Sequence, residues 1–273
     1  MADALSATAT AFARDDDPEL VRLAAPTTLK MVEMLLDDAP QHPGLLLTAC
    51  SGFTQYAYAF LQMDAEMAEP PESPAAAALR QRAASMYARA RGYCERALQG
   101  RHPGVKSSLA EDPTPFLAAA VQADVPALYW DAVAWGGELS LARNPLLRIG
   151  ELASVRQMLS RAQELDEGWE RGAIHEAFIA LDGLPMLLGG NPARASAHFD
   201  RAVALSNGQS AFAYVAVAEA VAQRAGDRRE FELQLRAALA IDTAPPSLRL
   251  ANLLAQKRAR FLLARIDRLF PGA

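Results

Sequence analysis

The chain has 273 residues, and its 27 basic and 32 acidic side chains give a net charge of −5, which argues against nucleic acid or an anionic membrane as its main partner. Alanine occurs about 58 times, whereas valine and isoleucine together occur about 16 times. Because alanine favours helices and β-branched residues favour strands, this composition predicts an all-α protein and excludes barrels, sandwiches and parallel-sheet nucleotide folds.

Proline and acidic residues mark the predicted helix starts along the chain. The acidic run before Pro18 predicts a first long helix that runs toward Asp38. A turn at 40–44 precedes a long apolar helix from Leu45 to about Met63, and a proline-rich loop then precedes a helix from Ala75. Further helix starts or turns are predicted at Asp112-Pro113, Asp124-Val125-Pro126, Asn144-Pro145, 189–192, 207–208, 226–227 and 243–246. About a dozen helices joined by short turns predict a helix-hairpin array.

An internal repeat is suggested by the spacing of small and aromatic residues. Gly183 lies twelve residues before Ala195, which Phe199 and Ala202 follow at i+4 and i+7, a spacing typical of a tetratricopeptide hairpin. The second-helix anchors recur at Val155, Leu159 and Ala162, at Phe231, Leu235 and Ala238, and more weakly at Ala90, Cys94 and Ala97. We therefore predict a single domain over 1–273, with an N-terminal segment at 1–14, degenerate tetratricopeptide-like hairpins at about 75–242 and a capping helix at 245–270. A generic alanine-rich bundle would also match some of these anchors.

Residue types that carry metal or catalytic chemistry are few. Cys50 and Cys94 are the only cysteines, and we interpret them as two small buried hydrophobic side chains. The four histidines have no ligand-like spacing, and Ile179 occupies the place of the second histidine of a zinc-protease motif that would begin at His175. No nucleophile elbow and no phosphate-binding loop occurs. The sequence therefore predicts no metal, no cofactor and no catalysis.

Two stretches concentrate the aromatic residues. Phe53 and Tyr56 share one helical face in the first stretch, and Tyr129, Trp130 and Trp135 lie in the second. Aromatic rings can form the wall of a ligand cavity in which a few polar groups fix orientation, and Gln55, Tyr56 and Glu138 are candidates for those groups. The alternative is a core stripe in which the same rings only pack.

The last long helix places amides where apolar residues normally pack. Asn252 and Gln256 share a face with Ala255 and Ala259. The candidate ligand-binding residues are thus Phe53, Gln55, Tyr56, Tyr129, Trp130, Trp135, Glu138, His175, Asn252 and Gln256.

At these stretches the sequence resembles the T component of tripartite ATP-independent periplasmic (TRAP) transporters, the TatT family. The stretches that match the family pattern lie at 15–22, 42–47, 51–60, 124–130, 134–136, 172–176, 198–202 and 249–259 and span about residues 12–270. The resemblance implies a trimeric periplasmic lipoprotein with cryptic tetratricopeptide repeats and a pore or cavity through each protomer. It also implies association with the solute-binding P component and with an apolar ligand. This sequence departs from the family at its start, because Met1 to Ala4 show neither a basic head nor an apolar segment of an export signal and the lipidated cysteine is absent there.

Three functions follow from these observations. The leading one is a non-enzymatic periplasmic accessory protein that binds a solute-binding partner and a small apolar ligand. The second is a protein–protein scaffold whose repeat surface binds a peptide. The third is an enzyme that uses His175 and Glu176 beside the aromatic helices. A solvent-connected cavity lined by Tyr56, Trp130 and Trp135 would favour the first over the second, and a His175–Glu176 pair open to it would favour the third.

Overall fold

The computed structural model describes residues 8–105, 109, 111–142 and 148–272. The structure is 77% helical, and the described residues contain no strand, so the all-α prediction is confirmed. The predicted turn at Asn144-Pro145 and the start at Met1 to Ala4 lie outside the described residues. Within the described ranges, no helix combines the length and the apolar character that a bilayer crossing requires.

Helices and short connections follow one another along the chain. The helices are α1 Thr8–Ala13, α2 Pro18–Asp38, α3 Pro43–Tyr56, α4 Pro74–Arg101, α5 Thr114–Ala119, α6 Val125–Ser140, α7 Ile149–Leu165, α8 Ala173–Asp182, α9 Pro192–Leu205, α10 Ala211–Val217, α11 Arg228–Ala240, α12 Arg249–Leu263 and α13 Ile266–Leu269. Two of them continue into π-helix, α3 through Ala57–Gln62 and then the α-helical turn Met63–Glu66, and α10 through Ala218–Ala222. The predicted long apolar helix after the turn at 40–44 is confirmed, but its π-helical segment was not predicted.

Side chains cap several helices where the turn signals predict a start. The Ser73 hydroxyl accepts a hydrogen bond from the backbone N–H of Ala76, and the Asn191 side chain accepts one from the N–H of Arg194. Asp227 caps α11 in the same way. In α4 and α9 a proline follows the capping residue and fixes the first turn. These contacts satisfy backbone donors that have no partner within the helix, which is why the starts could be predicted.

The chain divides into two compact units. The first contains residues 19–166 and the second residues 167–272, apart from short stretches before residue 19. In the first unit, α4 packs against both α3 and α6, and α6 packs against α7. The predicted single domain over 1–273 stays a prediction.

A disulfide bond links the two cysteines in the first unit. Cys50 on α3 and Cys94 on α4 are both completely buried, as predicted, but they are bonded to each other, with Cα atoms 5.1 Å apart. The interpretation of two separate hydrophobic side chains is therefore wrong. The packing of α3 on α4 brings together residues 44 positions apart, and their spacing in the sequence carries no information about that contact.

The second unit contains most of the predicted repeat anchors. Ala195, Ala202 and the anchors of α11 are buried, and Phe199 is half-buried. A Cβ atom at Gly183 would lie 2.3 Å from the Cβ of Ala220, so only glycine allows this close approach between the end of α8 and the π-helical segment. In a tetratricopeptide hairpin, a small residue at this position allows two helices to approach each other closely. The assignment to tetratricopeptide-like repeats stays a prediction.

Candidate functional site

The aromatic stretch of α3 is partly packed and partly exposed. Phe53 is buried and stacks on Tyr93, with ring centroids 6.0 Å apart. Tyr56 is half-buried and contacts Phe60 with ring centroids 5.7 Å apart, whereas Gln55 is exposed to solvent. Among the candidate site residues of α3, Gln55 and Tyr56 thus retain surface that a ligand could contact.

The two tryptophans of α6 have different environments. Trp135 has no exposed surface, its indole N–H donates to Glu151 Oε2 at 2.7 Å, and the guanidinium carbon of Arg91 lies 3.9 Å from its ring centroid. Trp130 is half-buried and makes an edge-on contact with Tyr129, with centroids 4.9 Å apart. Trp135 is therefore surrounded by protein, and Trp130 presents part of its ring to solvent.

A network of charged side chains surrounds Trp135. Arg91 contacts Asp131 Oδ1 at 3.3 Å and Glu138 Oε2 at 3.2 Å, while Arg148 donates to Glu138 Oε1 at 2.9 Å. Arg148 also makes two hydrogen bonds of 2.7 Å to Glu151. Glu138 was a predicted site residue, and the structure gives it two arginine partners. The other members were not predicted, although an aspartate inside the apolar sequence of α6 was a signal that could have identified Asp131.

Asp131 is the member of this network with the most unusual titration. Burial raises the pKa of its carboxyl to about 7, the nearby Glu95 and Glu138 act in the same direction, and Arg91 opposes them. Its Oδ2 atom is buried and has no hydrogen-bond partner among the described residues. By contrast, hydrogen bonds from Arg148 and from Trp135 lower the pKa of Glu151 despite its partial burial.

We expect Asp131→Asn to change how stability depends on pH. The usual pKa of an aspartate in an unfolded chain is about 3.9, so the folded state binds the Asp131 proton more tightly between about pH 4 and pH 7. The contribution of Asp131 to wild-type stability therefore falls as the pH rises through this window, and the substitution by asparagine removes that fall. Denaturant unfolding at pH 5 and at pH 8 gives the difference in free energy of unfolding between the variant and wild type. From pH 5 to pH 8 this difference should change by about 2 kcal/mol in favour of the variant. Asp38→Asn, at the exposed end of α2, is the control and should follow wild type; equal pH dependence of the two variants would refute the assignment.

His175 lies in the second unit in a chain of polar contacts. Its Nε2 lies 3.2 Å from Glu167 Oε1, and because a carboxylate only accepts, this nitrogen carries the proton. Its Nδ1 faces Nδ1 of His198 at 2.8 Å, and His198 stacks on Phe178. Hydrogen bonds from Arg201 lower the pKa of Glu167 to about 2, and burial lowers the pKa of His175. His175 is thus held between side chains of its own unit.

Glu176 has a partner of its own. The hydroxyl of Ser210 donates to its carboxylate, and burial raises the pKa of Glu176 to about 7. His175 contacts His198 and Glu167 instead. The two neighbouring residues therefore have separate hydrogen-bond partners, which offers no support for the alternative of an acid–base pair.

Asn252 and Gln256 bind backbone groups in the second unit. Asn252 accepts from the N–H of Ala211 and donates to the carbonyl of Gln209, both at 2.9 Å. Gln256 donates to the carbonyl of Ile241 at 2.8 Å. Backbone groups at helix ends have no partner within the helix. The two amides supply partners for such groups at the start of α10 and after the end of α11. Their burial among apolar residues was predicted correctly, and their ligand-binding role stays a prediction.

Two surface grooves lie away from the predicted residues. One, of about 480 Å³, lies between Leu117 of α5 and one face of α7 in the first unit. The other, of about 320 Å³, lies in the second unit among α9, α10 with its π-helical segment, and α11. Neither groove is lined by a predicted site residue. A cavity walled by Tyr56, Trp130 and Trp135 stays a prediction.

Comparison with known proteins identifies a family and a relative of this chain. The family described as TRAP transporter T-component matches residues 14–270 of the chain. An uncharacterized protein of Treponema pallidum (strain Nichols) is 28% identical over 265 residues, which cover 95% of this chain and 82% of that protein.

Proposed function

The chain belongs to the TRAP transporter T-component family, an accessory component of such transport systems, and from this membership we propose a non-enzymatic periplasmic protein that binds the solute-binding P component and a small apolar ligand. The observation that carries the proposal is the family match, which extends over residues 14–270. It includes both compact units, so the proposal applies to the whole described chain rather than to one part of it.

The disulfide supports a location outside the reducing cytoplasm. Disulfide bonds persist in oxidising compartments such as the bacterial periplasm and are rare where thiols are kept reduced. A buried bond between Cys50 and Cys94 fits export to that compartment. Lipid anchoring through a leader cysteine is part of the proposal and rests on the family resemblance alone.

The proposed ligand site uses the exposed part of the aromatic helices. Trp130 and Tyr56 are half-buried, so each has ring surface that an apolar ligand could cover. Gln55 is exposed and can orient a polar end of such a ligand. Trp135 and Glu138 contribute through the charged network, in which Glu151 is the partner of Trp135 and Arg91 is a partner of Glu138.

One observation favours a peptide-binding scaffold as the second candidate. The two grooves are lined by residues other than the candidate site residues, and the groove beside α7 offers Arg156, Arg161 and Glu164 with the apolar Leu117. A peptide lying along α7 would contact polar and apolar groups at helical spacing. This function would need no ligand cavity.

The test is to identify which molecules co-purify with the protein from the periplasm. The protein should be purified from the periplasm of a host that also expresses a solute-binding P component, and then analysed by mass spectrometry. The proposal expects that component in stoichiometric amount and a small apolar molecule that Trp130→Ala fails to retain. Glu232→Gln, a change at a partly exposed position on α11 in the other unit, is the control and should retain both. A peptide or protein in place of both would support the scaffold instead.

A homotrimer is a separate expectation from the family. Light scattering coupled to size-exclusion chromatography should give about three times the chain mass of 29.3 kDa at micromolar protein concentration. The result should persist in 0.5 M salt if the contact is mainly apolar, because screening weakens charged contacts much more than apolar ones. A mass equal to that of one chain under both salt conditions would contradict the expected trimer.

A further inference from the structure

Two histidine rings meet between α8 and α9 in the second unit. Nδ1 of His175 lies 2.8 Å from Nδ1 of His198, and the ring centroids are 5.1 Å apart. The ring of His198 also stacks on Phe178. The side chain of His175 is 3% exposed, whereas that of His198 is 19% exposed. The contact is therefore almost buried, and water can exchange protons with it through His198.

A carboxylate lies beside the outer nitrogen of each ring. Glu167 Oε1 is 3.2 Å from Nε2 of His175, and Asp182 Oδ2 is 3.7 Å from Nε2 of His198. A carboxylate accepts hydrogen bonds and attracts positive charge. Both outer nitrogens are thus placed where a proton is favourable, so a further proton on the pair has to be held by the inner nitrogens.

Other charged groups around the pair come from the same unit. Arg201 donates to Glu167, and Arg194 donates to Asp182 Oδ1 at 2.9 Å. Burial lowers the pKa of His175, Glu167 opposes this shift, and Arg201 adds to it. The further titratable groups on α8, on α9 and on the elements packed against α8 are Glu170, Arg171, Glu176, Asp200, Tyr214 and Glu219.

The number of protons decides whether the two rings can remain in contact. A hydrogen bond between the Nδ1 atoms needs one proton, which one ring donates and the other accepts. When the pair carries one proton more than two neutral rings, each Nε2 presents an N–H to its carboxylate and the Nδ1 atoms share the third proton. A fourth proton makes both Nδ1 atoms donors. The hydrogen bond is then lost, and two positive rings face each other at the 2.8 Å contact.

We propose that the contact between His175 and His198 is a proton-sensitive switch that holds α8 on α9 near neutral pH and releases it in mild acid. Histidines in an opened chain have a pKa of about 6.5, so both take up a proton below about pH 6. The closed pair accepts one proton fewer than the opened pair. The equilibrium constant for opening therefore rises by about tenfold for each pH unit below about pH 6.

The switch acts on the turn that joins the two helices. Arg194 donates to Asp182 and to the carbonyl of Gly189, so the turn and the histidine pair are connected through one carboxylate. The same turn carries Met186 and Leu187, which are 83% and 77% exposed. Release of α8 from α9 changes how this apolar surface is presented, as a pH-dependent interaction requires. The inference is independent of the proposed transport function and of the aromatic residues in the first unit.

The first experiment follows the imidazole nitrogens of the wild-type protein by NMR from about pH 8 to about pH 5. His175 and His198 should take up protons in two steps more than about one pH unit apart, because interacting sites titrate as a pair. Nε2 of His175 should keep its proton throughout. His42, whose ring caps α3 in the first unit, is the internal reference. Uptake of both protons in one step near pH 6.5 would overturn the proposal.

The second experiment measures the opening of α8 and α9 by amide hydrogen exchange in wild type and in His198→Asn. The asparagine amide can donate to Nδ1 of His175, and after rotation its oxygen can accept from the same nitrogen, so protonation of His175 no longer breaks the contact. From pH 6 to pH 5, the protection of the α8 amides, corrected for the intrinsic exchange rate, should fall about tenfold more in wild type than in the variant. An equal change in the two proteins would contradict the switch.

His42→Asn is the matched control for this comparison. His42 accepts the backbone N–H of Leu45 at the start of α3, a role that asparagine also fills, so α8 and α9 should respond to pH as in wild type. Loss of the pH response in this control would also count against the assignment. If His198→Asn does not fold, His198→Gln replaces it, and the titration of the wild-type protein decides without any variant.

Discussion

Replacing Cys50 and Cys94 together by alanine is expected to lower the free energy of unfolding by about 4 kcal/mol. The bond closes a loop between residues 44 positions apart, and a covalent link of that length restricts the unfolded chain by about this amount in the chain-entropy account. Denaturant unfolding of the double variant and of wild type measures the difference. Because both side chains are fully buried, alanine at both positions also removes some packing, so the loss should not be smaller than the value for loop closure alone.

A reductant separates the covalent contribution from the packing contribution. Dithiothreitol should bring the stability of wild type toward that of the double variant and should leave the double variant unchanged. Gly92→Ala in the same helix is a suitable control, since a Cβ at Gly92 would meet no neighbouring atom within 4 Å. If reduction leaves the wild-type unfolding curve in place, the bond contributes little to stability.

Trp135→Ala is expected to lower the free energy of unfolding by about 3–5 kcal/mol, whereas Trp130→Ala should cost about 1 kcal/mol. Trp135 is completely buried, and its removal leaves a cavity and deprives Arg91 and Glu151 of a contact. Trp130 is half-buried and loses less protein contact. Chemical unfolding measures the cost of each change, and the retention of a co-purifying apolar molecule measures its effect on binding.

The phenylalanine variant separates packing from hydrogen bonding at the same position. Trp135→Phe keeps most of the apolar contact with Arg91 but removes the N–H that donates to Glu151, so it should cost roughly 1–3 kcal/mol. We expect retention of the apolar molecule to fall in Trp130→Ala and to remain in Trp135→Phe. Losses of equal size for both alanine variants, with unchanged retention, would mean that the aromatic residues of α6 only pack.

Local signals explain how much of the fold could be predicted. Ser73 and Asn191 cap helices with side chains that act within four residues, so the sequence alone shows where α4 and α9 begin. The abundance of alanine likewise predicts helices throughout. The π-helical segments were missed because they depend on how the helices pack, and neither Ala57–Gln62 nor Ala218–Ala222 has a distinctive composition.

The candidate site was harder to predict because its contacts join distant parts of the chain. Arg91 reaches Asp131 and Glu138 from another helix, and arginines are frequent enough in this sequence that no position stands out. The amides of Asn252 and Gln256 stood out correctly as polar groups on a buried face. Only the structure shows that backbone atoms of Ala211 and Ile241 are their partners.

The bond between Cys50 and Cys94 has a consequence for the covalent topology of the chain. The exposed proline-rich stretch at 70–72 lies within the ring that the bond closes, and exposed loops are the segments that proteases cut first. A chain cut there remains one molecule, because the bond still joins the piece that contains α3 to the piece that contains α4. Its mass differs from that of the intact chain only by one water, and the two pieces separate only after reduction.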